Sequence, residues 1–204
     1  MQPELNTFTA FSGPSRIASG SIEDVALAVK SWLDGGCDSV LVFDDRSGQQ
    51  IDLDLRGTPE EALARLAQHP WLETQREKVE RRTGPGRPKL GVTSREVSLL
   101  PRHWDWLNEQ PGGASATLRK LVEARMKATS GRDQARKAHD AAAKFAWVMG
   151  GNLPDFEEAS RALTRKDYAR LETLIESWPG DIRDHLKTLV TRAAEAEQEV
   201  GDDD

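Results

Sequence analysis

Four aspartates stand close together in one short stretch of this chain: Asp44, Asp45, Asp52 and Asp54. Carboxylates of this kind can bind magnesium or calcium, or divide acid and base roles when their environments differ. Asp52 and Asp54 alternate with Ile51, Leu53 and Leu55, so they share one face of an extended segment. Asp44 and Asp45 open the turn before it, Asp45-Arg-Ser-Gly48, which folds the chain back toward that face. Turn aspartates beside a strand's polar outer face are nonetheless ordinary, and that structural account is the stronger one. No other chemistry-bearing residue joins them. His69, His103, His139 and His185 are scattered with no pair at ligand spacing, and Cys37 stands alone, which excludes an intrachain disulfide and a thiolate zinc cluster. There is no glycine-rich phosphate loop after a strand pattern and no Gly-x-Ser-x-Gly elbow. The expectation is a chain that is not an enzyme: no catalytic residue, no metal, no cofactor.

Phosphate binding is the chemistry the sequence supports better. From Arg76 to Arg95 seven basic residues (Arg76, Lys78, Arg81, Arg82, Arg87, Lys89, Arg95) face two acidic ones, Glu77 and Glu80. That local +5 sits in a chain of net charge −6, so −11 is left for the remainder. A cationic arm on an acidic body can grip phosphates while the body limits loose binding. Pro85 and Pro88 exclude regular structure from Thr83 to Lys89. Gly86-Arg87-Pro88 resembles the core of an AT-hook, whose arginine lies in the narrow minor groove of A·T-rich DNA, with Pro85 in place of the usual preceding arginine.

The elements behind the arm must position it. Glu96–Leu100 is a short β-type run, Pro101–Gln110 a helix, Pro111-Gly-Gly113 a turn, and a second helix follows with the stripe Leu118, Leu121, Val122 and Arg125. Strand, helix, turn, helix is the layout of a ribbon–helix–helix half-domain. One strand and two helices cannot bury their apolar faces alone, so the unit requires a second copy. The two strands would then form a ribbon that fits the DNA major groove. Val97 and Leu99 share one strand face, with Glu96, Ser98 and Leu100 on the other. Anchoring the strand from the helix by analogy with the motif reverses which face is outward, and both registers stay open. Arg95 and Ser98 suit contacts to DNA, and Ser115 suits an N-cap on the second helix, whose free N–H groups would accept a phosphate. Trp104 and Leu107 share the first helix's inner face, with Trp106 elsewhere. The alternative for the same segment is a helical hairpin packed on the N-terminal domain, with no DNA role.

The fold class read from the whole chain is α+β. Residues 1–70 form a small N-terminal ββαββα domain: strands at Thr7–Phe11 and Arg16–Ala18, a helix with the stripe Ile22, Val25, Val29, Trp32 and Leu33, strands at Val40–Phe43 and Ile51–Leu55, and a helix opened by Thr58-Pro-Glu-Glu61. Residues 71–92 are a basic linker, 93–129 the ribbon–helix–helix-like segment, 130–199 a C-terminal α-helical region and 200–204 a disordered acidic tail. In the helical region Ala135, Ala138, Ala142, Phe145 and Met149 make one stripe and Ile182, Leu186, Leu189 and Val190 another, while Thr164-Arg-Lys-Asp167 resembles a capping box. A hydrophobic content of 37% against 30% charged residues predicts modest cores. No apolar stretch reaches membrane-spanning length and the N-terminus has no signal-peptide pattern, so a cytoplasmic location is expected.

Thr7-Phe-Thr-Ala-Phe-Ser-Gly13, Val42-Phe-Asp-Asp45, Asp52-Leu-Asp-Leu-Arg-Gly57, Gly86-Arg-Pro-Lys-Leu-Gly-Val92, Leu99-Leu-Pro-Arg-His-Trp104 and Asn152-Leu-Pro154 together resemble an uncharacterised bacterial family classed as a domain of unknown function. The resemblance covers most of the chain and implies a bacterial cytosolic protein, with no activity or site residues attached. Taken with the arm and the half-domain, the expected function is a homodimeric DNA-binding protein, a transcriptional regulator, with double-stranded DNA and a second copy of itself as partners. Its contact residues are Arg81, Arg82, Arg87, Lys89, Arg95, Ser98 and Ser115, and the N-terminal domain is left to sense a small molecule or dock a protein. The alternative is a non-enzymatic protein-interaction adaptor with no nucleic-acid role.

Overall fold

The computed structural model describes residues 7–36, 39–69 and 93–202. Among these residues there are four strands in one antiparallel sheet and seven helices. The chain divides into two compact units, one made of Met1–Glu73 with Arg132–Asp204 and the other of Thr74–Gly131.

The first unit begins with the expected ββαββα order. Strands β1 (Phe8–Ser12) and β2 (Ser15–Gly20) pair across the Gly13-Pro14 turn, with a shift of register between Ala10 and Phe11. Helix α1 (Ile22–Asp34) starts at Ser21, whose side chain accepts the Asp24 N–H at 3.1 Å. Its buried stripe is Ile22, Val25, Ala26 and Val29 with the stem of Lys30, which pairs with Asp34. Trp32, expected in that stripe, is 41% exposed because it falls about 80° to one side of the face that Ile22 and Val29 centre. Strands β3 (Leu41–Asp44) and β4 (Gln49–Ile51) close the sheet in the order β2-β1-β3-β4. The strand expected through Leu55 stops at Ile51. Asp54 accepts both the backbone N–H and the guanidinium of Arg56, which turns the chain out of the ladder. Helix α2 (Pro59–Ala67) carries the full capping box between Thr58 and Glu61.

Alternation along the central strands assigns each sheet face its own core. Phe8, Ala10 and Val42 pack with α1 and α2 residues such as Val25, Val29, Ala62 and Leu66. Phe11 and Phe43 point the other way, into the helices that follow residue 132. The N-terminal sheet and the C-terminal helices are thus one body with a two-sided sheet, each buried side chain serving the face its parity gives it.

Those helices are α4 (Gly113–Gly150), α5 (Phe156–Thr164), α6 (Tyr168–Leu174) and α7 (Gly180–Asp202). The predicted stripes hold: Ala135, Ala138, Ala142 and Phe145 are buried on α4, and Ile182, Leu186, Leu189 and Val190 on α7. Helix α4 runs unbroken through residues 129 and 130, where the sequence placed a boundary, and α7 continues to Asp202, into the segment expected to be a disordered tail. Two glycines permit the packing. Gly48, at φ +66°, ends the β3–β4 turn so close to α4 that a Cβ would lie 2.6 Å from the Ala141 Cα, and a Cβ on Gly150 would run into the ring of Trp178, 2.6 Å from its Cζ3. The expected capping box at Thr164 is corrected: Thr164 closes α5, and Asp167 alone caps α6 by accepting the Arg170 N–H at 3.2 Å.

Between them α5 ends in a Schellman motif. The Lys166 N–H donates to Leu163 O at 2.9 Å and the Asp167 N–H to Ala162 O at 2.9 Å. This geometry places Lys166 in the left-handed region at φ +59°, a position that glycine usually takes and where a side chain costs about 1–2 kcal/mol.

The second unit contains α3 (Pro101–Glu109) and the opening of α4. No described helix is long and apolar enough to cross a membrane.

Candidate functional site

The four aspartates are not gathered into a site. Asp44 is buried, and its carboxylate accepts the Arg46 N–H at 3.0 Å and the Ser47 hydroxyl at 2.7 Å, which makes it the organiser of the β3–β4 turn. Asp52 accepts a long bond from Gln50, at 3.3 Å. Asp54 lies in the exposed ion pairs with Arg56 and Arg65, and the Arg56 side-chain hydrogen bond above all holds its carboxyl well below the usual carboxylate range. Among the described residues no group of three His, Cys, Asp or Glu side chains is placed to hold a metal ion.

Asp45 does something the sequence did not announce. Its carboxylate is buried; Oδ2 accepts the Thr9 hydroxyl at 2.9 Å, and Oδ1 lies 3.3 Å from Nε2 of His185 on α7. The His185 ring stands edge-on to Phe145, at 4.6 Å between centroids, and to Phe11, at 5.5 Å. Arg192 on α7 donates to the Asp45 carbonyl at 3.1 Å. Hydroxyl, carboxylate and imidazole occur here in the wrong order for nucleophilic catalysis, because the hydroxyl touches the carboxylate and not the imidazole that would have to activate it. The arrangement joins the sheet to α7 through polar atoms in an otherwise aromatic core.

The residues expected to meet DNA fall on both sides of the described boundary. Arg81, Arg82, Arg87 and Lys89 lie outside the described residues. Arg95 and Ser98 are exposed in residues 93–100, which form no strand in a single chain. Leu100, with φ −67° and ψ 150°, leads in extended backbone into α3 without a side-chain cap. Ser115 is also exposed but does not cap α4. The Gln110 carbonyl accepts the Gly113 N–H at 2.9 Å, so the turn delivers the chain into the helix at Gly113 and leaves Ser115 inside the first turn. Leu107 is buried, whereas Val97, Leu100, Trp104, Trp106, Leu121, Val122 and Met126 are exposed, Met126 at 65%. In charge the unit Thr74–Gly131 has twelve basic residues against six acidic ones, net +6, while the rest of the chain carries −12.

A second feature lies on the C-terminal helices. Arg132, Ala135, Arg136 and His139 from α4, Lys166 from the α5–α6 link and Glu197 from α7 line a cleft of about 310 Å³. Lys166 Nζ lies 2.7 Å from Glu197 Oε1, and the Tyr168 hydroxyl donates to the same oxygen at 3.4 Å. Burial, reinforced by Glu197, pushes the Tyr168 phenol up to about 12. His139 Nε2 sits 2.9 Å from Leu163 O, which fixes that ring against the end of α5. Only the spacing of Arg132, Arg136 and His139 on one helical face marked this cleft in the sequence, because Lys166 and Glu197 reach it through tertiary folding.

A family model for an uncharacterized protein conserved in bacteria (DUF2239) matches residues 7–190. The chain belongs to this family. The match takes in the sheet, the second unit and the first half of α7. No curated protein and no solved structure matches the chain.

Proposed function

We propose that the chain is a homodimeric DNA-binding protein acting in transcriptional regulation. Residues 96–100 of two copies pair antiparallel and enter the major groove, and Arg81, Arg82, Arg87 and Lys89 hold the adjoining backbone or minor groove. One observation carries this reading: seven large apolar side chains between Val97 and Met126 lie exposed in the single chain, within the unit that also holds its excess positive charge. Apolar surface on that scale is a liability in an isolated copy and an asset in a paired one. A cationic unit on an acidic chain then directs the paired surface to a polyanion. Among the described residues, the run before α3 pairs with no strand, and antiparallel pairing with a second copy would supply one.

Sedimentation velocity with and without a duplex of about 30 base pairs tests the reading. The expected species are a dimer alone and a dimer bound to duplex. A monomer at micromolar concentration that leaves the duplex free would overturn it.

A further inference from the structure

We propose that Asp45 and His185 form a proton-operated latch between the β3–β4 turn and α7. Both side chains are more than nine-tenths buried, and Asp45 Oδ1 and His185 Nε2, 3.3 Å apart, have no hydrogen-bond partner. The other carboxylate oxygen is already satisfied. The single hydroxyl hydrogen of Thr9 goes to Oδ2 at 2.9 Å, so the Ser19 hydroxyl, 3.1 Å from Thr9 Oγ1, donates to Thr9. One neutral donor compensates a carboxylate charge poorly in a core of phenyl rings. The imidazole is the facing group that can supply a positive charge, by taking up one proton. Nε2–H then donates to Oδ1 in a charge-assisted bond, and both unpartnered atoms are satisfied at once. Without that proton a nitrogen lone pair faces a carboxylate lone pair, and the contact loosens.

The other charged groups on the elements around the imidazole are engaged or exposed elsewhere. Strand β1 carries none, and Arg16 on β2 is exposed. In the turn, Asp44 accepts the Arg46 N–H and the Ser47 hydroxyl, and the Arg46 residue itself is exposed. On α4, Lys144 donates to the Ser47 carbonyl at 3.2 Å. On α7, Asp181 accepts the Arg16 N–H at 2.8 Å, Arg183 pairs with Asp184, and Arg192 is held on the Asp45 carbonyl rather than its carboxylate. Lys187 lies two residues beyond His185, about 200° round the helix. The tie between the sheet and α7 is therefore tightest while the pair holds its proton, and it slackens as pH rises through the imidazole's titration. The latch shares no residue with the proposed DNA contacts, so the two proposals stand or fall separately.

The test is nitrogen NMR of the histidine rings in the full chain between roughly pH 5 and roughly pH 9. Replacing His69, His103 and His139 in turn with Gln assigns the His185 signals by elimination. His185 is expected with both ring nitrogens protonated at the acid end and with one at the alkaline end. A double-mutant cycle of Asp45→Asn and His185→Gln, read from urea unfolding, measures the tie itself. Its coupling should be about tenfold in the unfolding constant at the acid end and fall to about twofold or less at the alkaline end. Should either variant fail to fold, the ring spectra of the parent chain decide. A His185 ring whose protonation does not change over the range, or a coupling that does not change with pH, would overturn the proposal.

Discussion

Asp45 Oδ1 and His185 Nε2 lie 3.3 Å apart in a space closed by Phe11 and Phe145, and through them the β3–β4 turn is tied to the last helix. Neither atom has a hydrogen bond, so they are coupled by proximity in a buried space; removing the carboxylate leaves the imidazole buried with no charge beside it, and removing the imidazole also opens a cavity between two phenyl rings. Asp45→Ala and His185→Ala should each lower stability by about 3 kcal/mol. The double variant should lose less than the sum, with a coupling of about 1 kcal/mol or more. Urea unfolding of the four proteins checks this, and additive losses would show that the two residues act independently.

Gly48 is the second place where the turn meets the bundle. Alanine there would meet the Ala141 backbone and would also have to adopt φ +66°, so neither a side-chain rotation nor a local turn adjustment relieves it. Gly48→Ala should cost about 3 kcal/mol, against about 1–2 kcal/mol for alanine at Gly13, where φ is +54° but nothing lies within 4 Å. Thermal unfolding of the two variants side by side distinguishes packing from backbone freedom alone.

These contacts explain what the sequence could and could not convey. The ββαββα order and the stripes on α4 and α7 were legible, because alternation and 3.6-residue periodicity are local signals. Thr58-Pro-Glu-Glu61 was legible for the same reason, as a cap satisfied within four residues. The Asp45–His185 pair was not, since its members are 140 positions apart and each is unremarkable alone. Trp32 misled because a large aromatic outweighs its place on the edge of a stripe. Thr164-Arg-Lys-Asp167 misled because a capping-box pattern also arises where one helix ends in a Schellman turn and the next begins.

Tyr168 is the chain's one tyrosine, so its titration can be read directly from phenolate absorbance. Its pKa rises from 10.0 to about 12, chiefly because burial disfavours the phenolate, and then because Glu197 lies beside it. A group raised in the folded state contributes stability below its unfolded pKa and loses that contribution as pH rises through its folded pKa. Tyr168 should therefore remain protonated between pH 10.0 and about 12 in the native protein and ionise near 10.0 in denaturant. Tyr168→Phe should remove that part of the alkaline loss of stability, and a native phenolate midpoint near 10.0 would contradict the placement.

The exposed apolar residues of the second unit give a prediction about assembly. Val97→Asp with Val122→Asp should shift the proposed dimer to monomer while leaving the helical circular dichroism unchanged, because both side chains are 55% exposed in the single chain. Equilibrium sedimentation of this variant checks the claim, and an unaltered dimer would remove this surface from the interface.

Binding to duplex DNA is the property on which the proposed function depends most directly. Fluorescence anisotropy of a labelled mixed-sequence duplex of about 30 base pairs, titrated at roughly 50 and 200 mM salt, measures it directly. Saturable binding is expected to weaken on the order of a thousandfold between the two salts, and replacing Arg81, Arg82, Arg87 and Lys89 with alanine should weaken it further and flatten that dependence. Absence of binding at the lower salt would contradict the central claim, and unchanged affinity in the quadruple variant would remove the arm from it.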